Sequence, residues 1–275
     1  MDWKRAKIIL ILMFFILNIV LAVVLYNNLK VEEISQQTIT NTQKILEQNS
    51  VHIECPIPKY VGNDYILQYE ENVLDKKKIA TELLGNNYVQ IGNNSYKYGS
   101  KNLVFSSSSG FEFNDSGENK QTYTESKSGM DIYLKELSKK LGIPFGEFKQ
   151  DDYQDIKIGN SVRAIYKGQY KGYAVFDNFI DVEVNKSGIK SIKYHYKMPL
   201  NITSRDVNVI PAYEVLITKM TNYPGIIIRE VDMGFKGYTK VDKETKTLYE
   251  GLSWRIKTAD GKEFYFKASN GEEME

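Results

Sequence analysis

Few side chains in this chain of 275 residues could perform nucleophilic or acid–base chemistry. The two histidines are His52 and His195, and the single cysteine is Cys55. A cysteine three residues from a histidine could form a nucleophile–base pair, but here the pair stands beside the helix-breaking stretch CPIP. His195 lies on the lysine-bearing side of an alternating pattern. We therefore interpret His195 as a satisfied or solvated side chain and expect no Cys55–His52 nucleophile.

Two further patterns resemble known motifs without their structural context. Ser187 and Lys190 match the S-x-x-K spacing of penicillin-binding proteins, but they fall in a hairpin turn and not at the start of a helix. Asp151, Asp152 and Asp155 lack the glycine and the terminal glutamate of a calcium loop, so a solvated acidic turn explains them better. CxxC, HExxH and GxSxG are absent from the sequence. We predict a protein that is not an enzyme, with no catalytic residue, cofactor or metal.

One apolar run near the N-terminus is long enough to cross a membrane. It extends over nineteen residues from Ile8 to Tyr26, and Asn18 is its one strongly polar residue. At about 1.5 Å per residue, this helix would be roughly 28 Å long, close to the roughly 30 Å hydrocarbon core of a bilayer. A cleaved signal sequence has a shorter apolar region and small residues at its cleavage site, and this run has neither. We predict a retained transmembrane helix over residues 8–26.

The charges around this run indicate its orientation. Lys4, Arg5 and Lys7 precede it, whereas the next twenty residues contain two lysines. The positive-inside rule therefore places a head of residues 1–7 in the cytoplasm and the C-terminal domain outside the cell. Over the chain, 36 basic residues nearly balance 35 acidic ones, which argues against a nucleic-acid partner. We predict a single-pass protein of the cell membrane.

Asn18 marks one face of the predicted transmembrane helix. An unpaired amide is costly in lipid, and a neighbouring helix could form a hydrogen bond with it. Helical spacing places Phe14, Phe15, Leu21 and Ala22 on the same face. We predict that this face contacts a transmembrane helix of a partner protein. The alternative is that one asparagine is tolerated in an otherwise very apolar segment.

The residues after the membrane run divide into a stalk and an exterior domain. Residues 27–50 contain no proline or glycine and place apolar residues at roughly helical intervals. They predict a helical or partly ordered juxtamembrane stalk, with a short coiled coil as the alternative. The exterior domain covers residues 51–275 and, with one cysteine, has no internal disulfide. A polar tract at 106–129 is a candidate boundary between two lobes that would divide near 115–128.

Alternating patterns in the exterior domain predict β-strands. Apolar and charged or polar residues alternate over 192–198 and 252–257, as in half-buried antiparallel strands. Asp260-Gly261 is a hairpin signal between strands that end at Thr258 and start near Glu263. Most of the twenty tyrosines fit half-buried sheet positions, although an exposed tyrosine strip is an alternative.

Helical patterns accompany the strands. Apolar residues recur with helical spacing over 74–85, 130–142 and 209–220, and Gly142 is a typical stop for the second pattern. Helices mixed with short antiparallel strands are typical of the α+β class. We therefore predict an α+β fold of mainly antiparallel β-sheets with packed helices, preceded by one transmembrane helix.

These features together resemble the YycI family. The residues that carry the resemblance are Met1-Asp2-Trp3 with the following basic residues, the apolar run Ile8 to Tyr26, and the sequence LSWRIKTADGKEFYFKASNGE at 252–272. The last stretch also resembles the closing hairpin of PepSY-like units. The resemblance implies a regulatory membrane protein that works with YycH on the WalK–WalR (YycG–YycF) two-component system of low-GC Gram-positive bacteria.

The resemblance also implies a mode of action. Family members tune the sensor histidine kinase, which governs cell-wall metabolism, through contacts that include their transmembrane helices, and they have no known catalytic residues. It implies a WalK/YycG-type kinase and a YycH-like protein as partners. The alternative is an anchored exterior binding module, such as a PepSY-like protease inhibitor or a cell-wall ligand binder, whose helix is only a tether.

Overall fold

The structure is a computed structural model with an α+β architecture. It describes residues 3–29, 34–117, 127–156, 161–185, 188–237 and 248–274. These residues contain five α-helices, two 3-10 helices and fifteen strands, and the strand pairs are mostly antiparallel. This confirms the predicted fold class. The tract predicted to divide two lobes lies partly outside the described residues, which stop at 117 and resume at 127, so that division stays a prediction.

The helices begin and end close to the predicted positions. The α-helices are α1 (Trp3–Leu29), α2 (Gln36–Gln48), α3 (Lys76–Leu84), α4 (Lys127–Leu141) and α5 (Ala212–Lys219). Short 3-10 helices cover Phe145–Glu147 and Met220–Asn222. The patterns at 74–85, 130–142 and 209–220 correspond to α3, α4 and α5, so these three predictions are confirmed. The predicted stalk contains α2, and its residues 30–33 lie outside the described part.

The strands are numbered in chain order. They are β1 (His52–Ile53), β2 (Asn63–Glu71), β3 (Val89–Gln90), β4 (Ser95–Tyr98), β5 (Lys101–Phe105), β6 (Gly110–Asp115), β7 (Phe148–Ile156), β8 (Ser161–Tyr170), β9 (Tyr173–Asn185), β10 (Gly188–His195), β11 (Lys197–Asn208), β12 (Ile227–Lys236), β13 (Leu248–Thr258), β14 (Glu263–Lys267) and β15 (Glu273–Met274).

Local hydrogen bonds explain where the helices begin and end. Ser35 Oγ accepts a hydrogen bond from the Thr38 amide at 3.0 Å at the start of α2. Asp75 Oδ1 accepts one from the Lys78 amide at 3.0 Å at the start of α3. Both side chains satisfy N–H groups that have no partner within the helix. Gly142 follows α4 with a φ of 76°, a left-handed conformation that favours glycine and stops the helix as predicted.

The chain forms two compact units. The smaller one contains the described residues of Met1–Asn63, Val207–Val231 and Ile256–Glu263. In it, α2 lies against α5, and β1 pairs in parallel with the start of β12. The buried residues of this unit include two polar ones, Thr42 and Thr258, and these apolar ones: Ile39, Leu46, Val51, Ala212, Val215, Leu216 and Ile228. Burial of one face of α2 explains why this otherwise polar segment is helical.

The larger unit contains the described residues of Asp64–Asp206, Asp232–Arg255 and Phe264–Glu275. Its strands follow the order β11-β2-β13-β12-β9-β10-β6-β5-β4-β3. In addition, β8 pairs with β9 on one side and with β7 on the other. The pairing of β12 with β9, at Gly234 and Ala174, is parallel. The pairs β8–β9, β9–β10 and β10–β6 are antiparallel. β8, β9 and β10 follow one another in the chain, and antiparallel pairing agrees with the short turns between them.

Two helices cover the antiparallel part of the larger unit. Its hydrophobic core combines residues of α3 and α4 with inward-facing residues of β5, β6, β8, β9 and β10. Phe105, Phe111 and Tyr194 contribute neighbouring rings, with centroids 6.1 Å and 5.3 Å apart. These separations are typical of aromatic pairs that stabilise a core beyond their buried area. The alternation predicted for residues 192–196 is therefore a true inside–outside pattern.

Two strand predictions differ from the structure. The predicted strand 192–198 is interrupted at Tyr196, because its amide bonds to the Ser109 carbonyl and the Lys197 amide bonds to Asn178 Oδ1. The predicted half-buried strand 252–257 is buried on both faces: Ser253 and Arg255 are 0% and 1% exposed. The hairpin signal is confirmed, since β13 ends at Thr258, β14 starts at Glu263, and Gly261 has a φ of 82°.

Candidate functional site

The predicted partner-contact residues lie within α1. Eighteen residues of this helix, Lys7 to Val24, are long and apolar enough to cross a membrane, and none of them is buried. Asn18 Nδ2 donates a hydrogen bond to the Phe14 carbonyl at 2.8 Å within the same helix. This bond uses one of the two N–H groups of the amide and leaves its oxygen unused by that bond. The side chains of Phe14, Phe15 and Leu21 are exposed, so contact of this face with a partner stays a prediction.

The side chains considered for catalysis lie in different elements: His195 in β10, His52 in β1, and Cys55 outside the strands. His195 Nδ1 lies 2.7 Å from the Asp177 carbonyl, and its ring stacks against Phe179, so it is satisfied as predicted. His52 is exposed on β1. Among the described residues, no three His, Cys, Asp or Glu side chains are grouped as a metal site. Ser187, half of the S-x-x-K match, lies outside the described residues.

The acidic group at 151–155 is the clearest correction. It was expected to be a solvated turn, but Asp151 and Asp152 lie in β7, and the side chain of Asp151 is 9% exposed. Asp152 Oδ1 accepts a hydrogen bond from the Tyr153 amide at 2.9 Å. The side chain of Asp155 lies outside the described part. Asp151 is buried because it pairs with a buried arginine.

That arginine is Arg255, and with Asp151, Asp232 and Phe176 it forms what we call the arginine cluster. Its Nε and one terminal nitrogen donate to the two carboxylate oxygens of Asp232 at 2.9 Å and 2.8 Å. The other terminal nitrogen donates to Asp151 Oδ2 at 2.8 Å. The guanidinium carbon lies 4.8 Å from the ring centroid of Phe176, in cation–π contact. The fork geometry of arginine therefore joins β7, β12, β13 and β9.

These partners raise the pKa of Arg255. Burial alone would lower the pKa of its guanidinium, but the hydrogen bonds that it donates to Asp151 and Asp232 outweigh burial and raise that pKa. Arginine is charged in proteins in any case, so the consequence is structural. Loss of the arginine would leave two carboxylates next to each other without their cation, whereas loss of one carboxylate would leave the guanidinium paired with the other.

A second buried group is the glutamate cluster, which consists of Glu250, Lys197, Tyr69, Asp177 and Lys236. Lys197 Nζ donates to Glu250 Oε1 at 3.1 Å and to Tyr69 Oη at 3.0 Å. Lys236 Nζ lies 3.3 Å from Asp177 Oδ1. The side chain of Glu250 is 1% exposed, while that of Lys197 is 18% exposed. The cluster joins β13, β11, β2, β9 and β12 of the larger unit.

The members of this cluster have shifted pKa values. The pKa of Glu250 is raised to about 7, first by burial and then by the negative charge of Asp177, while Lys197 and Tyr69 oppose the shift. Burial by itself lowers the pKa of Lys197, but Glu250 and Tyr69 raise it, and the net direction is upward. The lysine is therefore charged at neutral pH, whereas the glutamate is divided between its two forms.

The sequence patterns gave little sign of either cluster. Arg255 lies in the predicted strand 252–257, whose alternation predicted a solvent-facing side for its charged residues. Glu250 lies before that pattern, three residues after the stretch 238–247, which lies outside the described part. The available signal was a charged residue inside an apolar strand. Charged residues are rarely buried unless they are paired, so such a residue indicates a partner of opposite charge.

Comparisons with known proteins cover most of the chain after the apolar helix. A family model described as YycI protein matches residues 29–269. The solved structure of YycH from Bacillus subtilis is similar, with a TM-score of 0.51 and 15% sequence identity. The similarity covers 83% of this chain and 60% of the YycH chain, so this chain spans less than two thirds of YycH.

A second solved structure is similar over most of its length. It is an uncharacterized protein from Eubacterium rectale ATCC 33656, with a TM-score of 0.47 and 10% identity over 86% of this chain and 98% of that one. A comparison with curated proteins finds no match. At such low identity, the likeness to YycH shows a shared fold alone.

Proposed function

The chain belongs to the YycI family, and from that premise we propose that it is a membrane-anchored regulator of a WalK/YycG-type sensor histidine kinase. The observation that carries the proposal is the family match over residues 29–269. The YycH-like fold of the exterior strands supports it, because the family is expected to act together with YycH. Through the kinase, the protein would influence cell-wall metabolism.

The apolar helix supports a membrane anchor with a defined orientation. Lys4, Arg5 and Lys7 stand before the apolar residues of α1, as expected for a cytoplasmic N-terminus. The folded exterior domain would then lie outside the cell. In this arrangement the chain can contact both the transmembrane helices and the exterior part of a membrane kinase. A YycH-like protein is the second partner that we propose, also outside the cell.

The proposed contact in the membrane uses the Asn18 face of α1. The hydrophobic effect does not drive helices together in lipid, so packing and interhelical hydrogen bonds must do so. Asn18 already donates one bond to the Phe14 carbonyl, and its remaining N–H and its oxygen can bond to a kinase helix. Such a bond is worth roughly 0.5–2 kcal/mol. The role is regulatory and non-enzymatic, as membership of the family supports.

The test is co-purification of the full chain with the kinase from detergent-solubilised membranes, combined with autophosphorylation of the kinase in lipid nanodiscs. We expect the full chain to retain the kinase and to change its autophosphorylation. Asn18→Leu should reduce the retained kinase by about 2- to 30-fold, the equivalent of roughly 0.5–2 kcal/mol.

Val20→Leu is the matched control, because residue 20 lies on the opposite side of the helix from residue 18. It should leave both readouts unchanged. If the unaltered chain neither retains the kinase nor changes its activity, the proposed function is wrong. If the unaltered chain regulates the kinase and Asn18→Leu behaves like it, regulation stands and Asn18 is removed from the contact.

A further inference from the structure

Glu250 is buried without a full set of hydrogen bonds. Its side chain is 1% exposed, and Oε1 accepts a hydrogen bond from Lys197. Oε2 has no hydrogen-bond partner among the residues that the structure describes. Removing an ionised carboxylate from water costs free energy unless its oxygens are compensated, and the protonated form costs much less. The surroundings of Oε2 therefore favour a protonated Glu250.

Titratable groups face Glu250 from several strands. Tyr69 on β2 and Lys197 on β11 contact each other, with Lys197 Nζ 4.5 Å from the tyrosine ring centroid. Asp177 on β9 supplies a second carboxylate, whose charge disfavours ionisation of Glu250. Lys236 on β12 lies against Asp177 and over the Tyr265 ring, so its charge is already engaged. One cation, Lys197, thus directly offsets Glu250 within this set.

The carboxylates of Asp177 and Glu250 both lie close to the backbone of Gly237. Its amide donates to Asp177 Oδ2 at 2.9 Å. A Cβ at Gly237 would lie 3.0 Å from that oxygen and 3.3 Å from Glu250 Oε1. Two carboxylates that border one backbone position repel each other when both are ionised, and one of them tends to keep a proton.

From this geometry we infer that the glutamate cluster is a proton-binding site, in which Glu250 takes up a proton from solvent and releases it as external acidity changes. The inference goes beyond kinase regulation and does not depend on it. When Glu250 is ionised, it forms an ion pair with Lys197. When its carboxylate binds a proton, that ion pair becomes a weaker hydrogen bond between an ammonium and a neutral acid. Acidification therefore removes the ion pair between β13 and the start of β11, together with the cost of holding an ionised carboxylate out of water.

Stability responds to this proton with a defined sign. The folded-state pKa of Glu250 is raised to about 7 from an ordinary value of 4.5. The folded chain consequently binds the proton more tightly than the unfolded chain does. The resulting stabilisation is fully present below about pH 4.5 and is lost as the pH rises through about 7.

Infrared spectroscopy of the full chain in detergent micelles tests the inference directly. Between about pH 6 and about pH 8, ordinary Asp and Glu side chains are ionised, so the carbonyl stretch of protonated acids reports unusual groups. We expect a protonated-acid band that loses half its intensity near pH 7 and is missing in Glu250→Gln. Burial also raises the pKa of Asp64, and because Asp64 is unchanged in Glu250→Gln, the difference between the two spectra isolates Glu250.

The matched control is Glu112→Gln. Glu112 is also paired with a lysine, Lys193, at 3.5 Å, but its side chain is 44% exposed. Glu112 faces water away from the glutamate cluster, so this variant should leave the band and its midpoint unchanged. Loss of the band in both variants would show that it does not belong to Glu250.

Two further variants move the midpoint in opposite directions. Lys197→Met removes the cation that favours ionised Glu250, so the midpoint should rise by on the order of one pH unit. Asp177→Asn removes the neighbouring negative charge, so the midpoint should fall. An unaltered chain without a protonated-acid band at about pH 6 overturns the inference, and so do midpoints that shift in the same direction in both variants.

Discussion

Two arginines of the larger unit show how burial changes the role of one side-chain type. Arg163 forms a two-pronged contact with Asp181, at 2.8 Å and 2.6 Å, but its side chain is 42% exposed. Arg255 forms the same contact with Asp232 and adds Asp151, with its side chain 2% exposed. Water can reach the guanidinium of Arg163 when its contact breaks, whereas the guanidinium of Arg255 and the side chain of Asp151, which is 9% exposed, have little water available.

We therefore predict a large difference between two identical substitutions. Arg255→Met should lower the free energy of unfolding by about 3–5 kcal/mol, because it leaves the buried Asp151 uncompensated. Arg163→Met should lower it by no more than about 1 kcal/mol. Urea denaturation of the full chain in detergent, followed by near-ultraviolet circular dichroism, measures both. Equal losses in the two variants would show that the arginine cluster is not the buried ion pair described above.

Close strand packing makes one glycine of β12 necessary. At Gly234, which pairs with Ala174 of β9, a Cβ atom would come within 2.5 Å of the Ala174 carbonyl oxygen and 2.8 Å of the Phe176 ring. At Gly92, the nearest atom to an added Cβ is Ser95 Cβ, at 4.0 Å. Only the first position requires the backbone itself to move.

Alanine at these two positions should therefore have different effects. Gly234→Ala should destabilise the chain by about 1–3 kcal/mol or more, as overpacking does, since the obstructing carbonyl cannot rotate away. Gly92→Ala should change stability by less than about 0.5 kcal/mol, the usual range for open surface positions. Thermal unfolding of the two variants in parallel measures the difference. A neutral Gly234→Ala would mean that β12 and β9 are less closely packed than the structure shows.

Elements with a local cause could be predicted from the sequence. α3, α4 and α5 follow from apolar spacing, and the turn between Thr258 and Glu263 follows from Asp260-Gly261. The break at Tyr196 could not be predicted, because the Ser109 carbonyl and the Asn178 side chain that cause it are distant in sequence. An alternating sequence predicts a continuous strand, but hydrogen bonds to residues distant in sequence can replace the hydrogen bonds between strands and end it.

The sites divide in the same way. The Asn18 face lies on one helix, so spacing alone defines it. The glutamate cluster draws one residue from each of five strands, and its assembly depends on a strand order that no local pattern encodes. Alternation placed Arg255 on a solvent side, and the prediction was wrong because Asp151 and Asp232 allow a charged side chain to be buried. Burial of a charged side chain depends on partners on other strands, and the periodicity of one strand cannot predict them.

The family match covers only part of the chain. It covers residues 29–269 and so leaves out the head Met1-Asp2-Trp3 and the apolar run Ile8 to Tyr26. Family membership therefore rests on the exterior residues, although the head and the run contributed to the resemblance. The mechanism proposed for α1 is an independent claim and requires its own test.

Exchange of the membrane segment across the full chain provides that test. Residues 8–26 would be replaced by an unrelated apolar helix of equal length that lacks asparagine. We expect normal display of the exterior domain but loss of kinase regulation, because lipid supplies no hydrophobic drive for two helices to associate without matched packing or hydrogen bonds. The measurements are protease accessibility of the exterior domain on intact cells and phosphorylation of the response regulator in a strain without the native protein.

A second exchange supplies the control: the same foreign helix with asparagine at position 18 and the original residues Phe14, Phe15, Leu21 and Ala22. If the Asn18 face suffices for the contact, this chain should recover regulation at least in part. Retained regulation in the fully exchanged chain would contradict the prediction, since every helix contact has then been replaced. The active part would in that case be residues 51–275, and the protein would act as an anchored exterior binding module whose helix is only a tether.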